Sequence, residues 1–412
     1  MLDIKHIRDN QQEVVALLTR RGVTDAADAI GTLINLHDER QEYLLKLEEY
    51  NRKRNEMAHA NKHGKPDATT VKRGAEIKQH IRDTQEHLEK ILGTYNDLLR
   101  SLPNIPLADV PEGDADNNEV VAESDTQKPS GERKDYLTLL GHSIDLERGA
   151  KVSGSRFVYI SGKLARLEIA LVSFIFDELA KQHFTPVVPP VLVKQAAMAG
   201  MGYLDHDGDE IYKTQDDLYL VGTSEQAIGP MHMDEILDAE SLPLRYVGYS
   251  SCFRREAGSH GKDVRGILRL HQFEKVEMFS FTTPEQSEGE HELLLSQQRV
   301  IMDALALPYR VVKLAAKDLG SPAAKTYDIE TWIPSEGTYR ETHSTSNTTD
   351  YQARRLNIRV RMDNKNVYAH MLNGTAIALS RILIALIENH QQPDGTVAIP
   401  PALHPYLPFT EL

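Results

Sequence analysis

A single cysteine, Cys252, stands among 412 residues. That excludes an intrachain disulfide and any zinc site built from paired cysteines. Long apolar runs are missing too. No stretch of eighteen apolar residues occurs, so no membrane-spanning helix and no membrane partner is expected. The opening MLDIKHIRDNQQEVV is charged and amphipathic, without the apolar stretch of a secretory signal. A reducing, cytoplasmic setting is the expectation. The 17 histidines show no His-Glu-x-x-His spacing, and no Gly-x-x-x-x-Gly-Lys-Ser/Thr loop offers a cradle for phosphates. Trp332, the one tryptophan, reads as core or interface, and Cys252 as a buried small side chain in an apolar strand. Positive charge is in deficit: 47 Lys and Arg against 61 Asp and Glu give a net charge of −14. A polyanion bound by this chain must therefore meet a local basic patch.

The N-terminal part is helical in pattern. Residues 3–22 read as a short helix that Asp3 caps and Gly22 ends. From about 27 to 100, Leu33, Leu36, Arg40, Tyr43, Leu47, Tyr50, Arg54 and Met57 step by three and four. So do Ile77, Ile81, Thr84, Leu88, Ile91, Tyr95 and Leu98. His63 to Asp67 supply a turn between them. An antiparallel hairpin of two helices follows, each on the order of 50 Å long. Between 52 and 82 nine basic residues (Arg52, Lys53, Arg54, Lys62, Lys65, Lys72, Arg73, Lys78, Arg82) meet only Glu56, Asp67 and Glu76. The outer half of the hairpin is thus the basic patch that the acidic chain requires of a nucleic-acid binder. A solvated face on a self-associating coiled coil is the plainer alternative.

Residues 103–135 read as a linker, broken by Pro103, Pro106, Pro111, Gly113 and Pro129 and solvated by acidic residues. Beyond it, Leu164 to His183 is an apolar helix, and 184–193, 218–223, 245–253, 267–281, 309–315, 326–334 and 355–371 read as strands. Strands that neighbour one another in sequence point to an α+β fold, an antiparallel sheet with helices against it.

Chemistry concentrates in Phe253-Arg254-Arg255-Glu256, a Gly- and charge-rich loop, and then Arg269-x-x-x-Phe273-x-x-x-Glu277. Read as strand, loop and strand, the even spacing puts Arg269, Phe273 and Glu277 on one face. A guanidinium suits phosphate, a ring suits a base and a carboxylate suits an amino group. A salt-bridged hairpin facing solvent is the alternative. Further on, Met371 to Ile387 reads as a strand end, Gly374, and an apolar helix carrying Arg381. A buried arginine there calls for an anion, which a nucleotide would supply.

Phe-Arg-x-Glu followed by Arg-x-x-x-Phe-x-x-x-Glu resembles motif 2 of class II aminoacyl-tRNA synthetases. The wider SSCFRREAGSHGKDVRGILRLHQFEKVEMF is similar to the seryl family, as are GSRFVYISGKLARLE, PVVPPVLV, AAKTYDIETWIP, YQARRLNIR and the N-terminal arm. The likeness runs from Met1 to Tyr406. It implies ATP-dependent ligation of L-serine to the 3′ end of serine tRNA through a seryl-adenylate, with selenocysteine tRNA a further candidate acceptor. Residues 1–102 become a tRNA-binding domain, 136–412 a catalytic domain, and the chain a homodimer through 161–193. By resemblance, Arg254 meets the α-phosphate and the serine carboxylate, and Glu256 the adenine amino group. Phe273 and Arg381 sandwich adenine, and Arg269 meets the triphosphate. Glu341 and Ser344 hold Mg2+. Thr223, Glu225, Glu277, Asn373 and Thr375 surround the serine. Arg254, Arg269 and Arg381 would carry catalysis by neutralising charge. Arg52, Lys53, Arg54, Lys62, Lys65, Lys72, Arg73 and Lys78 would contact tRNA.

The text departs from the family in places. Ala376 and Ser380 replace two glycines, Thr375 stands where serine is usual, and Gly222-Thr223-Ser224-Glu225 replaces Pro-Thr-Ala-Glu. His343 replaces an apolar residue, and no local pattern explains it. Two other classes compete: a ligase that loads a small amino acid onto a carrier protein, and a non-catalytic RNA-binding relative. The intact hairpin argues against the first, the retained charged residues against the second.

Overall fold

The computed structural model describes residues 1–60, 67–205, 208–257, 265–363 and 365–412. Two compact units divide the chain: 2–103, and 104–412 together with Met1.

In the first unit Asp3 caps α1 (Ile4–Asp9), its carboxylate accepting from the Lys5 amide. The single short helix expected over 3–22 is two, because α2 (Gln11–Arg20) restarts at Asn10, whose φ of −130° breaks the spiral. α3 (Ala26–Ala60) and α4 (Ala68–Ser101) then pack against each other. Their direction is antiparallel, since Tyr43 stacks on His87 and Tyr50 on His80, with ring centroids 4.2 and 5.1 Å apart. Ile30, Leu33 and His37 on α3 and Ile81, Thr84, Leu88, Ile91 and Tyr95 on α4 are buried along the seam, with the His37 and Tyr95 rings 6.1 Å apart. The last seam position is Leu99; Leu98 is only half-buried. Each sealed aliphatic contributes about 1.5–3 kcal/mol. Asp67 starts α4, its carboxylate accepting from the Thr70 amide at 2.7 Å. Farther out the seam thins: Tyr50, Met57 and Ile77 are half-buried and Leu45 is 66% exposed. There Arg52, Lys53, Arg54, Lys72, Arg73 and Lys78 all lie exposed. Lys62, Lys65 and turn positions 63–66 fall outside the described residues.

The second unit is built on an eight-stranded sheet. Its strands are β1 (Glu119–Glu123), β2 (Thr185–Val187), β3 (Leu244–Phe253), β4 (Gln272–Thr282), β5 (Tyr309–Lys313), β6 (Lys325–Ile333), β7 (Thr338–Asn347) and β8 (His370–Ala378). Their order is β1-β5-β6-β7-β8-β4-β3-β2, antiparallel throughout except for the β2–β3 pair. Helices α5 (Gly162–Ala180), α6 (Ser287–Ala304) and α7 (Leu379–Asn389) cover one face. Leu171, Ile175, Leu294, Ile301, Leu383 and Leu386 pack there on Val247, Val276, Met278, Ile329 and Ile377. On the opposite face Phe279, Phe281 and Met371 form a second buried cluster with Met201, Ile228 and Leu356, and polar groups occupy the stretch beside it.

Four details differ from the sequence reading. Part of the segment taken as a linker is built into the unit. Residues 119–123 pair with β5 as an edge strand, and buried Asn104 donates to the carbonyls of Pro322 and Thr348 at 2.9 and 2.8 Å. Acidic, Pro-rich composition forbids a helix but not an edge strand with one solvated side. β4 begins at Gln272, not 267, because Gly266 turns the chain at φ +79°. The run 355–371 breaks into the end of a helix (Tyr351–Leu356) and two short strands (Arg359–Met362, Lys365–Tyr368) before β8 starts. β7, rich in Thr and Ser, escaped notice because it carries no apolar alternation. β8 continues through Gly374, where an added Cβ would lie 2.9 Å from Thr345 Oγ1; the strands approach too closely for a side chain.

Candidate functional site

Alternation along β4 sends Val276 and Met278 into the helix-covered core and places Phe273, Lys275 and Glu277 on the other face, ahead of Phe279 and Phe281, which are buried in the second cluster. On that face Thr375 of β8 lies opposite Glu277. Asn373 lies opposite Ser346 of β7, and Ser344 opposite Asp328 of β6. Two adjoining cavities open here. Tyr203, Thr223, Glu225, Ser344 and Asn373 line one; Glu256, Arg269, Phe273, Glu341 and Arg381 line the other; Arg254, Lys275 and Thr375 line both. Every expected nucleotide and amino-acid residue thus converges, with Glu277 beneath Lys275.

Arg269 arrives by another route than expected. It lies in the loop ahead of β4, not on the strand, and reaches Glu256 with Nη1 to Oε2 at 3.0 Å. Glu256 holds φ +49°, a left-handed conformation that costs a non-glycine residue about 1–3 kcal/mol. Its carbonyl accepts from Arg156 Nη1 at 3.0 Å. The Arg254 guanidinium lies 5.3 Å from the Phe273 centroid while Nε donates to the Gly222 carbonyl at 3.2 Å. Arg381 needs no nucleotide for its anion: Nη1 is 3.1 Å from Glu341 Oε1 and also donates to the Glu341 carbonyl. Lys275 Nζ lies 2.6 Å from Glu277 Oε2 and donates to Thr223 Oγ1 at 3.1 Å. Arg269, Arg381 and Lys275 are each matched to a carboxylate, so a bound anion competes there for partners already in place, whereas Arg254 holds the Gly222 carbonyl and lies over the Phe273 ring.

At the inner end, Thr223, Glu225, Glu277 and Thr375 are 4, 3, 0 and 5% exposed. Asn373 joins the carboxylates, its Nδ2 donating to Glu277 Oε1 at 3.2 Å and to Glu225 Oε2. The Tyr203 hydroxyl donates to Glu225 Oε1. Burial, then the charge of Glu277, push the Glu225 carboxyl up to about 7. Glu277 has an ammonium partner, whereas both hydrogen-bond donors on Glu225 are neutral and Lys275 and Arg254 act on it through their charge.

Four contributors escaped the sequence reading. Lys275 was within reach of it, two residues before Glu277 on the same alternation. Tyr203 had no local signal; it follows the helix Gln195–Met201, which Gly202 ends in a left-handed turn. His343 fills the gap where β7 and β8 part beyond the Thr345–Gly374 pair. Its Nε2 donates to the Ala376 carbonyl at 3.1 Å, and Nδ1 accepts from the Thr342 hydroxyl at 2.9 Å. Burial pushes the imidazole down to about 3, so it is a neutral bridge satisfying a carbonyl stranded by the β-bulge between Thr375 and Ile377. Asp328, the fourth, bears on metal binding. Among the described residues no three His, Cys, Asp or Glu side chains gather to hold a metal. Mg2+ commonly takes only one or two protein carboxylates, with water and phosphate completing its shell. Glu341 and Ser344 supply hard oxygens of that kind. Asp328 Oδ1 is sealed in without a hydrogen-bond partner, and burial and the Glu341 charge push its carboxyl well up. The donor set fits a small divalent cation bound together with phosphate.

Comparison with known proteins agrees with this geometry. The family of the class II tRNA synthetase core domain (G, H, P, S and T) matches residues 210–390, and the seryl-tRNA synthetase N-terminal domain matches 1–106. A serine–tRNA ligase of Streptomyces coelicolor is 42% identical across 99% of this chain and 97% of its own length. The crystal structure of seryl-tRNA synthetase from Pyrococcus horikoshii complexed with ATP superposes with a TM-score of 0.91 at 39% identity, covering 100% of this chain and 99% of that one. The cytoplasmic serine–tRNA ligase of Naegleria fowleri in complex with AMP gives a TM-score of 0.86 at 31% identity, over 98% and 97%. With both domain families matched in order and relatives aligned end to end, the chain belongs to the seryl-tRNA synthetases.

Proposed function

We propose that this serine–tRNA ligase forms seryl-adenylate on the open face of the β4–β8–β7 sheet and transfers serine to tRNA gripped by the α3–α4 arm. ATP is the co-substrate. Arg254 binds the α-phosphate and the serine carboxylate together, since it alone among the arginines lines both cavities. Phe273 offers its ring to adenine. Arg269 and Arg381 exchange Glu256 and Glu341 for nucleotide phosphate or base, releasing Glu256 toward the adenine amino group. Glu225 and Thr223 receive the serine ammonium; Glu277, Asn373 and Thr375 frame its hydroxyl. Glu341 and Ser344 would hold Mg2+, which when bound neutralises charge on the phosphates. No protein nucleophile is required. The serine carboxylate attacks phosphorus in line, pyrophosphate leaves, and positioning plus charge neutralisation lower the barrier.

The exposed cations Arg52, Lys53, Arg54, Lys72, Arg73 and Lys78, with Lys62 and Lys65, contact the tRNA backbone. Serine tRNA is the acceptor this reading requires. A homodimer is supported by apolar exposure in the segment assigned to it: Ile169 of α5 is 68% and Val188 80% exposed. Among the described residues no helix is long and apolar enough to cross a membrane.

The observation that carries the reading is Arg254 spanning two cavities, one lined by carboxylates and the other by an aromatic ring and arginines. Deleting residues 40–90 tests the division of labour. The register that pairs Tyr43 with His87 and Tyr50 with His80 sets positions 40 and 90 opposite each other, so a short turn can close the stump. Aminoacylation is expected to vanish while serine-dependent pyrophosphate exchange persists; loss of both would contradict it.

A further inference from the structure

We infer that Tyr203 is a positioning residue for serine, holding Glu225 as an ionised, oriented acceptor for the substrate ammonium. The inference rests on the reading of Glu225 as the ammonium's partner. Its basis is geometric. Glu225 is 3% exposed, and its two oxygens are divided between two donors, the Tyr203 hydroxyl on Oε1 and Asn373 Nδ2 on Oε2. Asn373 is shared, since the same nitrogen also donates to Glu277. Tyr203 is therefore the donor committed to Glu225 alone. Its ring comes from a different part of the chain, directly after the left-handed Gly202 that ends the helix Gln195–Met201. A Cβ added at Gly202 would make ordinary contact with Pro322 and Tyr351 at 3.5 Å, so it is the positive φ of +89° that reserves this turn for glycine.

The electrostatics explain why a dedicated donor is useful. Glu225 is faced by Glu277 and Lys275 from β4, by Arg254 from the loop after β3, and by Tyr203. Burial and Glu277 favour the neutral acid; Lys275, the Tyr203 hydrogen bond and Arg254 favour the carboxylate. Lys275 is already committed to Glu277. The phenol cannot compete for the charge, because burial and Glu225 hold its own ionisation well above the ordinary tyrosine value. It stays a donor throughout the working pH range. A group that hydrogen-bonds the charged form lowers an acid's pKa. Removing the hydroxyl should thus leave Glu225 protonated over a wider range, where it receives an ammonium poorly.

The test is pyrophosphate exchange with the full-length enzyme from pH 6 to 9, comparing Tyr203→Phe, Glu225→Gln and parent. In the parent, kcat/KM for serine should rise with pH through about 7 as Glu225 ionises, then level. Phe keeps the ring and so the packing. In Tyr203→Phe the inflection should move up by about one unit, with KM for serine raised roughly tenfold at pH 6.5 and little at pH 9. KM for ATP, which reports an intact fold and nucleotide site, should stay unchanged. A uniform loss across pH, or an unmoved inflection while Glu225→Gln impairs serine use, would overturn the role of Tyr203 and leave Glu225 in place. Unchanged serine KM and pH profile in Glu225→Gln would overturn both.

Discussion

The arm and the sheet face both carry a surplus of charged side chains, and they treat them in opposite ways. On the arm, cations are exposed and paired, where paired at all, with acids one turn away on the same helix, as in Arg52–Glu56 and Lys53–Glu49. Such exposed pairs contribute little to stability and are screened by salt. On the sheet face two pairs join separate segments, Arg269 to Glu256 and Arg381 to Glu341, and a third, Lys275 to a fully buried Glu277, is sealed within β4. Breaking the Lys275–Glu277 pair strands a buried carboxylate in a low-dielectric site. The difference teaches that the arm's contribution should be additive, graded and salt-dependent, and the site's cooperative and all-or-none.

Substitutions can break that contrast, and the largest effect belongs to the site. Arg254→Ala removes the group common to both cavities. Serine-dependent pyrophosphate exchange should fall by about 10³-fold or more, with tRNA affinity in a filter-binding assay unchanged. On the arm, Arg52→Ala, Lys72→Ala and Lys78→Ala combined should raise KM for tRNA by about ten- to a hundredfold at moderate salt and flatten the log–log salt dependence of binding by about two to three. Pyrophosphate exchange should be unaffected, and a loss there would dissolve the distinction drawn between the two regions. A smaller and sharper effect is expected at Thr375, which is 5% exposed against Glu277. On the proposed assignment Thr375 frames the serine hydroxyl and its methyl would crowd threonine, so Thr375→Ser should raise threonine activation relative to serine by about tenfold. Equal threonine-dependent exchange in mutant and parent would remove Thr375 from the account of specificity.

The same contrast governs what could be read in advance. The hairpin was legible because a helix seam repeats every three to four residues. Leu33, Ile81, Thr84, Leu88, Ile91 and Tyr95 needed only local spacing to be placed, and the slip from Leu98 to Leu99 is one position of phase. Phe273 and Glu277 were legible because a strand alternates. Arg269 was placed in the right cavity by the wrong element: even spacing implied a continuous strand, while the left-handed Gly266 delays its start to Gln272. Tyr203 was not legible, being more than twenty residues from Glu225, and Asp328 was not, because its neighbours Glu341 and Ser344 lie on β7, the strand without apolar alternation. His343 looked anomalous in sequence because its reason lies on another strand. The carbonyl it satisfies, that of Ala376, is stranded only once β8 bulges and parts from β7.

The central claim is that the open face of the sheet makes an aminoacyl-adenylate from serine without help from tRNA. Pyrophosphate exchange measured with each of the twenty amino acids, tRNA omitted, addresses it directly. The account predicts exchange with serine far above every other amino acid, and its collapse in Arg254→Ala. Serine-independent exchange, or exchange undiminished by that substitution, would contradict it.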